Sequence, residues 1–239
     1  MKNDLTEVIV VLDRSGSMGY LWDDATGALN QFVKDHKQLT GECKYTLVVF
    51  DSQSTDVIHS AEDIQSVSDF PAHITPRGGT PLLDALGQTF NSFIDRYENT
   101  PDADRPGGVI FAVITDGQEN ASTKFKKTDI VEIIKEKTDD LDWKFLFLSS
   151  DLNAFDDARE YSFAATNTMS MSATGQAYTK GISGALNQFT SLYRTSSLND
   201  KATMNFAEVS AQLYANDDDI KMASDVSKSK TETEEDETT

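Results

Sequence analysis

An aspartate and two serines stand at single-residue spacing in "VVLDRSGSM": Asp13, Ser15 and Ser17, directly after an apolar run. Two more oxygen-bearing stretches follow, "GGTP" with Thr80 and "ITDG" with Asp116. All five side chains are hard oxygen donors, with no sulfur or imidazole among them. Such a set suits Mg²⁺, with Mn²⁺ or Ca²⁺ as alternatives, rather than zinc. Two carboxylates bring a dication close to neutrality, and three hydroxyls add lone pairs without charge. An ion held this way stays attractive to one more anionic oxygen. Other uses are open to the same residues. Asp13, Ser15 and Ser17 can tie a turn through local side-chain bonds. Thr80 can serve as a helix N-cap, with Pro81 in the first helical position.

Catalytic readings fit less well. An Asp13 that accepts a phosphoryl group would want a second carboxylate two residues on, and Ser15 holds that position. A serine hydrolase would want Gly-x-Ser-x-Gly and a histidine base. "RSGSMG" lacks the first glycine, and His36, His59 and His73 fall in different segments without ligand-like spacing. There is no Gly-x-x-x-x-Gly-Lys phosphate loop. The expectation is a protein that is not an enzyme.

The elements that must position the five residues alternate along the chain. Residues 7–12, "EVIVVL", read as a strand buried on both faces, and further strands are expected at 44–50, 55–60, 109–114, 143–149 and 162–166. Helical spacing marks residues 22–39, the stretch after Thr80, and about 128–138, 152–161 and 174–194. A short helix is expected near 63–69. This alternation predicts an α/β fold, a mainly parallel sheet with helices on both faces and right-handed crossovers. Asp13, Thr80 and Asp116 then lie in loops at one end of the sheet, where open parallel sheets bind ligands. Residues 204–214 carry a weak amphipathic stripe, and from 217 to "TETEEDETT" the chain is too polar to offset its ordering entropy, which predicts an acidic disordered tail over 217–239. Around the loops, Arg14 and Met18 are expected to line the rim, Tyr20 to meet a partner, Trp22 to meet a partner or the core, Asp51 to hold a turn, and Asp84 to brace loops.

Bulk properties restrict the partners. The chain has 239 residues, a formal net charge of −19 and an apolar fraction of 38%. That surface repels nucleic acid and anionic membranes and favours cations and basic partners. A single cysteine, Cys43, allows no internal disulfide and no thiolate cluster. No run approaches the length of a membrane span, and no secretion signal is visible, so a cytoplasmic setting is expected.

Asp-x-Ser-x-Ser after the first strand, Thr after Gly-Gly before a helix, and Thr-Asp-Gly after a buried strand resemble a von Willebrand factor type A domain with its metal-ion-dependent adhesion site. The likeness is to intracellular members, of bacterial or phage type, and covers residues 5–195. It implies a Rossmann-like three-layer fold, with a six-stranded sheet and one short antiparallel edge strand, here 55–60. It leaves 196–216 as a helical extension. Ser15, Ser17 and Thr80 would correspond to direct or switchable metal ligands, and Asp13 and Asp116 to acids that hold the ion directly or through water. The implied activity is binding a protein partner through a partner Asp or Glu. Two alternatives stay open: an assembly protein in which the metal only stabilises the fold, and a metal-dependent hydrolase.

Overall fold

The computed structural model describes residues 1–151, 153–214 and 217–222. β1 (Lys2–Asp13) shows how the sheet arises. Val8, Val10 and Leu12 face one side and Ile9 and Val11 the other, and all five are fully buried. Both faces of the sheet therefore need a cover. On the first side lie α1 (Trp22–His36), α5 (Gly175–Thr179), a π-helical segment (Lys180–Leu186) and α6 (Asn187–Thr195). On the second lie α2 (Leu82–Glu98) and α3 (Lys127–Leu141). The remaining strands are β2 (Glu42–Phe50), β3 (Thr55–Asp63), β4 (Pro106–Thr115), β5 (Lys144–Ser149), β6 (Thr168–Met171) and β7 (Ile220–Met222). Three short helices complete the fold: α4 (Ala154–Glu160), α7 (Leu198–Thr203) and α8 (Phe206–Tyr214).

The strand order is β3-β2-β1-β4-β5-β6-β7. Pairing is parallel from β2 to β6, and the edge strands β3 and β7 are antiparallel to their neighbours. The three-layer α/β expectation and the antiparallel strand at 55–60 both hold. The strand count does not: among the described residues the sheet has seven strands rather than six. Ile220 and Met222 alternate with Lys221, so the pair buries two apolar side chains against the core while the lysine faces out. Asp217 and Asp219, which make this stretch look like tail, pair with Lys180. The expected disorder thus does not begin at 217, and residues 223–239 lie outside the described part.

The extension is also not separate from the domain. Phe206 is fully buried, edge-on to Phe189 at 5.6 Å. The expected strand at 162–166 is displaced to Thr168–Met171. Ser162 takes a left-handed backbone (φ 65°) after α4, and Phe163 packs into the core on the second side of the sheet. The long helix expected over 174–194 carries the π segment in its middle. There Gly184 lets the Tyr214 ring of α8 approach, since a Cβ would meet its hydroxyl at 2.0 Å. The Tyr214 hydroxyl donates to the Lys180 carbonyl at 2.7 Å. Among the described residues no helix is long and apolar enough to cross a membrane.

Candidate metal centre

From β1 the chain proceeds through β2 and β3 to one side, then returns to β4 on the other. The loops leaving β1 and β4 therefore diverge, which opens a crevice at the carboxyl ends of the two central strands. Asp13 ends β1 there, fully buried. Its Oδ1 accepts the Ser15 N–H at 2.7 Å, and its Oδ2 accepts the Thr115 hydroxyl at 2.7 Å. One carboxylate thus ties its own loop to the end of β4. The chain then makes a 3₁₀ turn, Gly16–Tyr20, anchored by the fully buried Met18. This turn brings Ser17 back beside Ser15, with Oγ to Oγ 3.1 Å. The Ser17 hydroxyl donates to Asp116 Oδ1 at 2.9 Å.

The glycine loop closes the crevice. The Gly16 N–H donates to the Gly78 carbonyl at 3.0 Å. A Cβ on Gly117 would lie 3.9 Å from both Ser17 Oγ and Thr80 Oγ1, so these hydroxyls flank one small space that the missing side chain leaves clear. Thr80 does not act as the N-cap of α2. Pro81 takes that place, and the first-turn N–H groups of Leu83 and Asp84 are satisfied from outside by Glu119 (2.9 Å) and Ser122 (3.0 Å). The Thr80 backbone exchanges two bonds with Asn120, at 2.9 and 3.1 Å, which locks the second loop to the third.

The structure therefore brings all five sequence-selected residues to one place: Asp13, Ser15, Ser17, Thr80 and Asp116. Burial pushes the Asp13 carboxyl up to about 6, against the pull of its hydrogen bonds to Thr115 and Ser15, and the Asp116 charge adds to the rise. Burial raises Asp116 as well. The groups that meet these two acids are hydroxyls and backbone N–H groups. Two desolvated carboxylates beside three hydroxyls fit a hard dication by donor chemistry and by charge. Among the described residues no three His, Cys, Asp or Glu side chains converge, so an ion here would depend on the hydroxyls.

Several neighbours behave otherwise than the sequence suggests. Arg14 does not line the rim. It turns away, buried, and donates to Asp51 at 2.7 Å and to Ser54 and Asp56 at 2.9 Å. Met18 belongs to the core. Trp22 also packs inside, donating its indole N–H to the Ile74 carbonyl at 3.0 Å. Tyr20 is 65% exposed beside the crevice. Asp51 holds its turn through the Gln53 and Ser54 N–H groups and pairs with Arg14 and Arg77. Asp84 braces the third loop by accepting from the Thr123, Lys124 and Phe125 N–H groups. Sequence reasoning missed Thr115, Asn120 and Tyr178. Thr115 had a visible signal, a hydroxyl closing an otherwise apolar strand; the other two had none.

Residues 8–118 match the sequence profile of the von Willebrand factor type A domain. Over that span, just under half of the chain, it is similar to a von Willebrand factor type A domain. This family often mediates metal-dependent protein interactions. Solved structures similar to this chain include the following three. The manganese-loaded Plasmodium vivax TRAP protein is 19% identical, over 62% of this chain and 58% of that one, with a TM-score of 0.44. An aerotolerance-related membrane protein from Bacteroides fragilis NCTC 9343 is 18% identical, over 60% and 67%, with a TM-score of 0.38. The SpRpn10 VWA domain is 11% identical, over 73% and 92%, with a TM-score of 0.48. The chain thus spans little more than half the length of the TRAP chain. No curated protein matches the sequence significantly.

Proposed function

We propose that this von Willebrand factor type A domain is a metal-dependent protein-binding module, and not an enzyme, working in the cytoplasm. The ion would be Mg²⁺, with Mn²⁺ or Ca²⁺ as substitutes, held by Asp13, Ser15, Ser17, Thr80 and Asp116 at a metal-ion-dependent adhesion site. The observation that carries this reading is the hydrogen-bonded run Ser15–Ser17–Asp116 beside a fully buried Asp13. It gathers two acids of raised pKa and leaves them facing hydroxyls. When bound, the ion supplies a Lewis-acidic point for one carboxylate of a partner protein. The chain's own residues orient that contact. Gly117 leaves the approach clear, and Tyr20 offers an exposed ring beside it. With a net charge of −19, the domain would choose a partner acid set in neutral or basic surroundings. The absence of catalysis follows from the serines. His36, in the last turn of α1, meets Arg194 through Nδ1, and His59, within β3, has its Nδ1 3.2 Å from Glu62; among the described residues neither is hydrogen-bonded to Ser15 or Ser17.

Affinity capture tests the function. Immobilised wild type and Thr80→Ala would be exposed to extract of the native host, with Mg²⁺ and with excess chelator. Because Thr80 does not cap α2, the variant should melt close to wild type. The expected result is a protein retained by wild type in Mg²⁺, released by chelator, and not retained by the variant. An identical set of retained proteins in all arms would refute partner binding through the metal. A metal-dependent melting temperature with chelator-insensitive partners would point instead to an ion that only stabilises the fold.

A further inference from the structure

We propose that Tyr178 is a positioning residue for the metal site, its hydroxyl holding the end of β4 where Thr115 can fix Asp13 and Asp116 can meet Ser17. This inference rests on the metal-site reading above and names a residue that sets its geometry. Tyr178 belongs to α5 and is fully buried. Its hydroxyl donates to the Thr115 carbonyl at 2.9 Å and lies 3.1 Å from Ser150 Oγ. The same carbonyl accepts the Ser150 N–H at 3.3 Å. Thr115 is thus held through its backbone by Tyr178 and Ser150, while its side chain holds Asp13. Its hydroxyl also receives the Gly117 N–H at 3.2 Å. Asp116 stands between those two fixed points. Strand ends fray where the ladder stops, and this one does not stop at the ladder.

The phenol is close enough to Asp13 and Asp116 for their charges to add to burial in raising its pKa well above the ordinary value. It therefore remains a hydrogen-bond donor throughout the physiological range. A ring alone would fill the same core space, so packing does not account for the hydroxyl. The helix run offers a matched comparison. Tyr193 of α6 is similarly buried, but its hydroxyl lies at the opposite end of β4, next to Gly108.

The test compares Tyr178→Phe with Tyr193→Phe. Each loses one buried hydroxyl and keeps its ring, so a purely structural role predicts similar losses of stability and no difference at the site. Two readouts separate the roles: the Mg²⁺ dissociation constant by calorimetry, and amide hydrogen exchange at residues 116–117 in metal-free protein. Removing outer partners of metal ligands commonly weakens binding tenfold to a hundredfold. Tyr178→Phe should therefore weaken Mg²⁺ at least tenfold and speed exchange at Asp116 and Gly117 at least tenfold. Tyr193→Phe should leave both within about twofold of wild type. If the two variants match wild type in affinity and exchange, this inference falls while the metal site stands. If wild type itself binds no Mg²⁺, Mn²⁺ or Ca²⁺, the site reading falls and takes this one with it.

Discussion

Asp13→Asn is expected to melt higher than wild type at pH 7 without added metal, although it removes an acid from the centre of the site. Asp13 is fully buried, and its folded pKa of about 6 exceeds the ordinary value near 3.8. Between those values the folded state binds more protons than the unfolded state, so stability falls as pH rises. Below about pH 4 the acid is neutral in both states and the cost vanishes. Above about pH 6 the cost is complete, on the order of 3 kcal/mol for a rise from 3.8 to about 6. An amide avoids it and can keep the local bonds. Its oxygen accepts from Ser15 N–H, its NH₂ donates to the Thr115 hydroxyl, and that hydroxyl turns to the Gly117 carbonyl, 3.1 Å away. For a chain of this size the gain corresponds to roughly 6–12 °C. Thermal melts from pH 3.5 to 7.5 in chelator check this: the two proteins should converge at the acid end and diverge towards neutrality. An Asp13→Asn that melts below wild type at pH 7 would mean the hydrogen bonds outweigh desolvation and that the acid has no need of a cation.

The second large effect lies away from the site. Glu7 stands in the middle of β1 with its side chain wholly buried, paired through both oxygens with Arg96 of α2. Burial still raises its carboxyl above the usual range, with Arg96 pulling the other way. Arg96→Met keeps most of the stem packing and strands the carboxylate. Breaking a buried pair from one side costs about 3–5 kcal/mol. The Arg96 side chain is 36% exposed, which puts the expectation at the lower end, about 3 kcal/mol. The loss should shrink at pH 5, where Glu7 can accept a proton, and most of it should return in the Glu7→Gln, Arg96→Met double variant. Urea unfolding at both pH values measures it. A loss below about 1 kcal/mol would class the pair with ordinary surface bridges.

These two cases mark where the sequence was readable. Asp13, Ser15, Ser17, Thr80 and Asp116 stand at strand ends or a helix start, and their positions relative to apolar runs are enough to bring them together. What was not readable depends on long separations. Thr115 reaches Asp13 across 102 residues, Tyr178 reaches Thr115 across 63, and Arg96 reaches Glu7 across 89. Glu7 looked like one polar residue opening an apolar strand. Arg14 lies between Asp13 and Ser15 in sequence yet points to the other side of its strand end, because Asp51 waits there at the end of β2. β7 was lost among acidic neighbours because two apolar residues are too few to register, though they suffice to extend a sheet edge already built. Thr80 was a plausible cap until Glu119 and Ser122 supplied the capping from another loop.

The central claim is that five oxygen side chains on three loops form one divalent-ion site. Calorimetric titration of Mn²⁺ and Mg²⁺ into the full chain at pH 7, repeated with Asp13→Asn and Thr80→Ala, tests it most directly. The account predicts a single class of site in wild type, no detectable binding in Asp13→Asn, and at least tenfold weaker binding in Thr80→Ala. Wild-type protein that gives no binding heat and no shift in melting temperature with either ion, or an Asp13→Asn that binds as tightly as wild type, would contradict it.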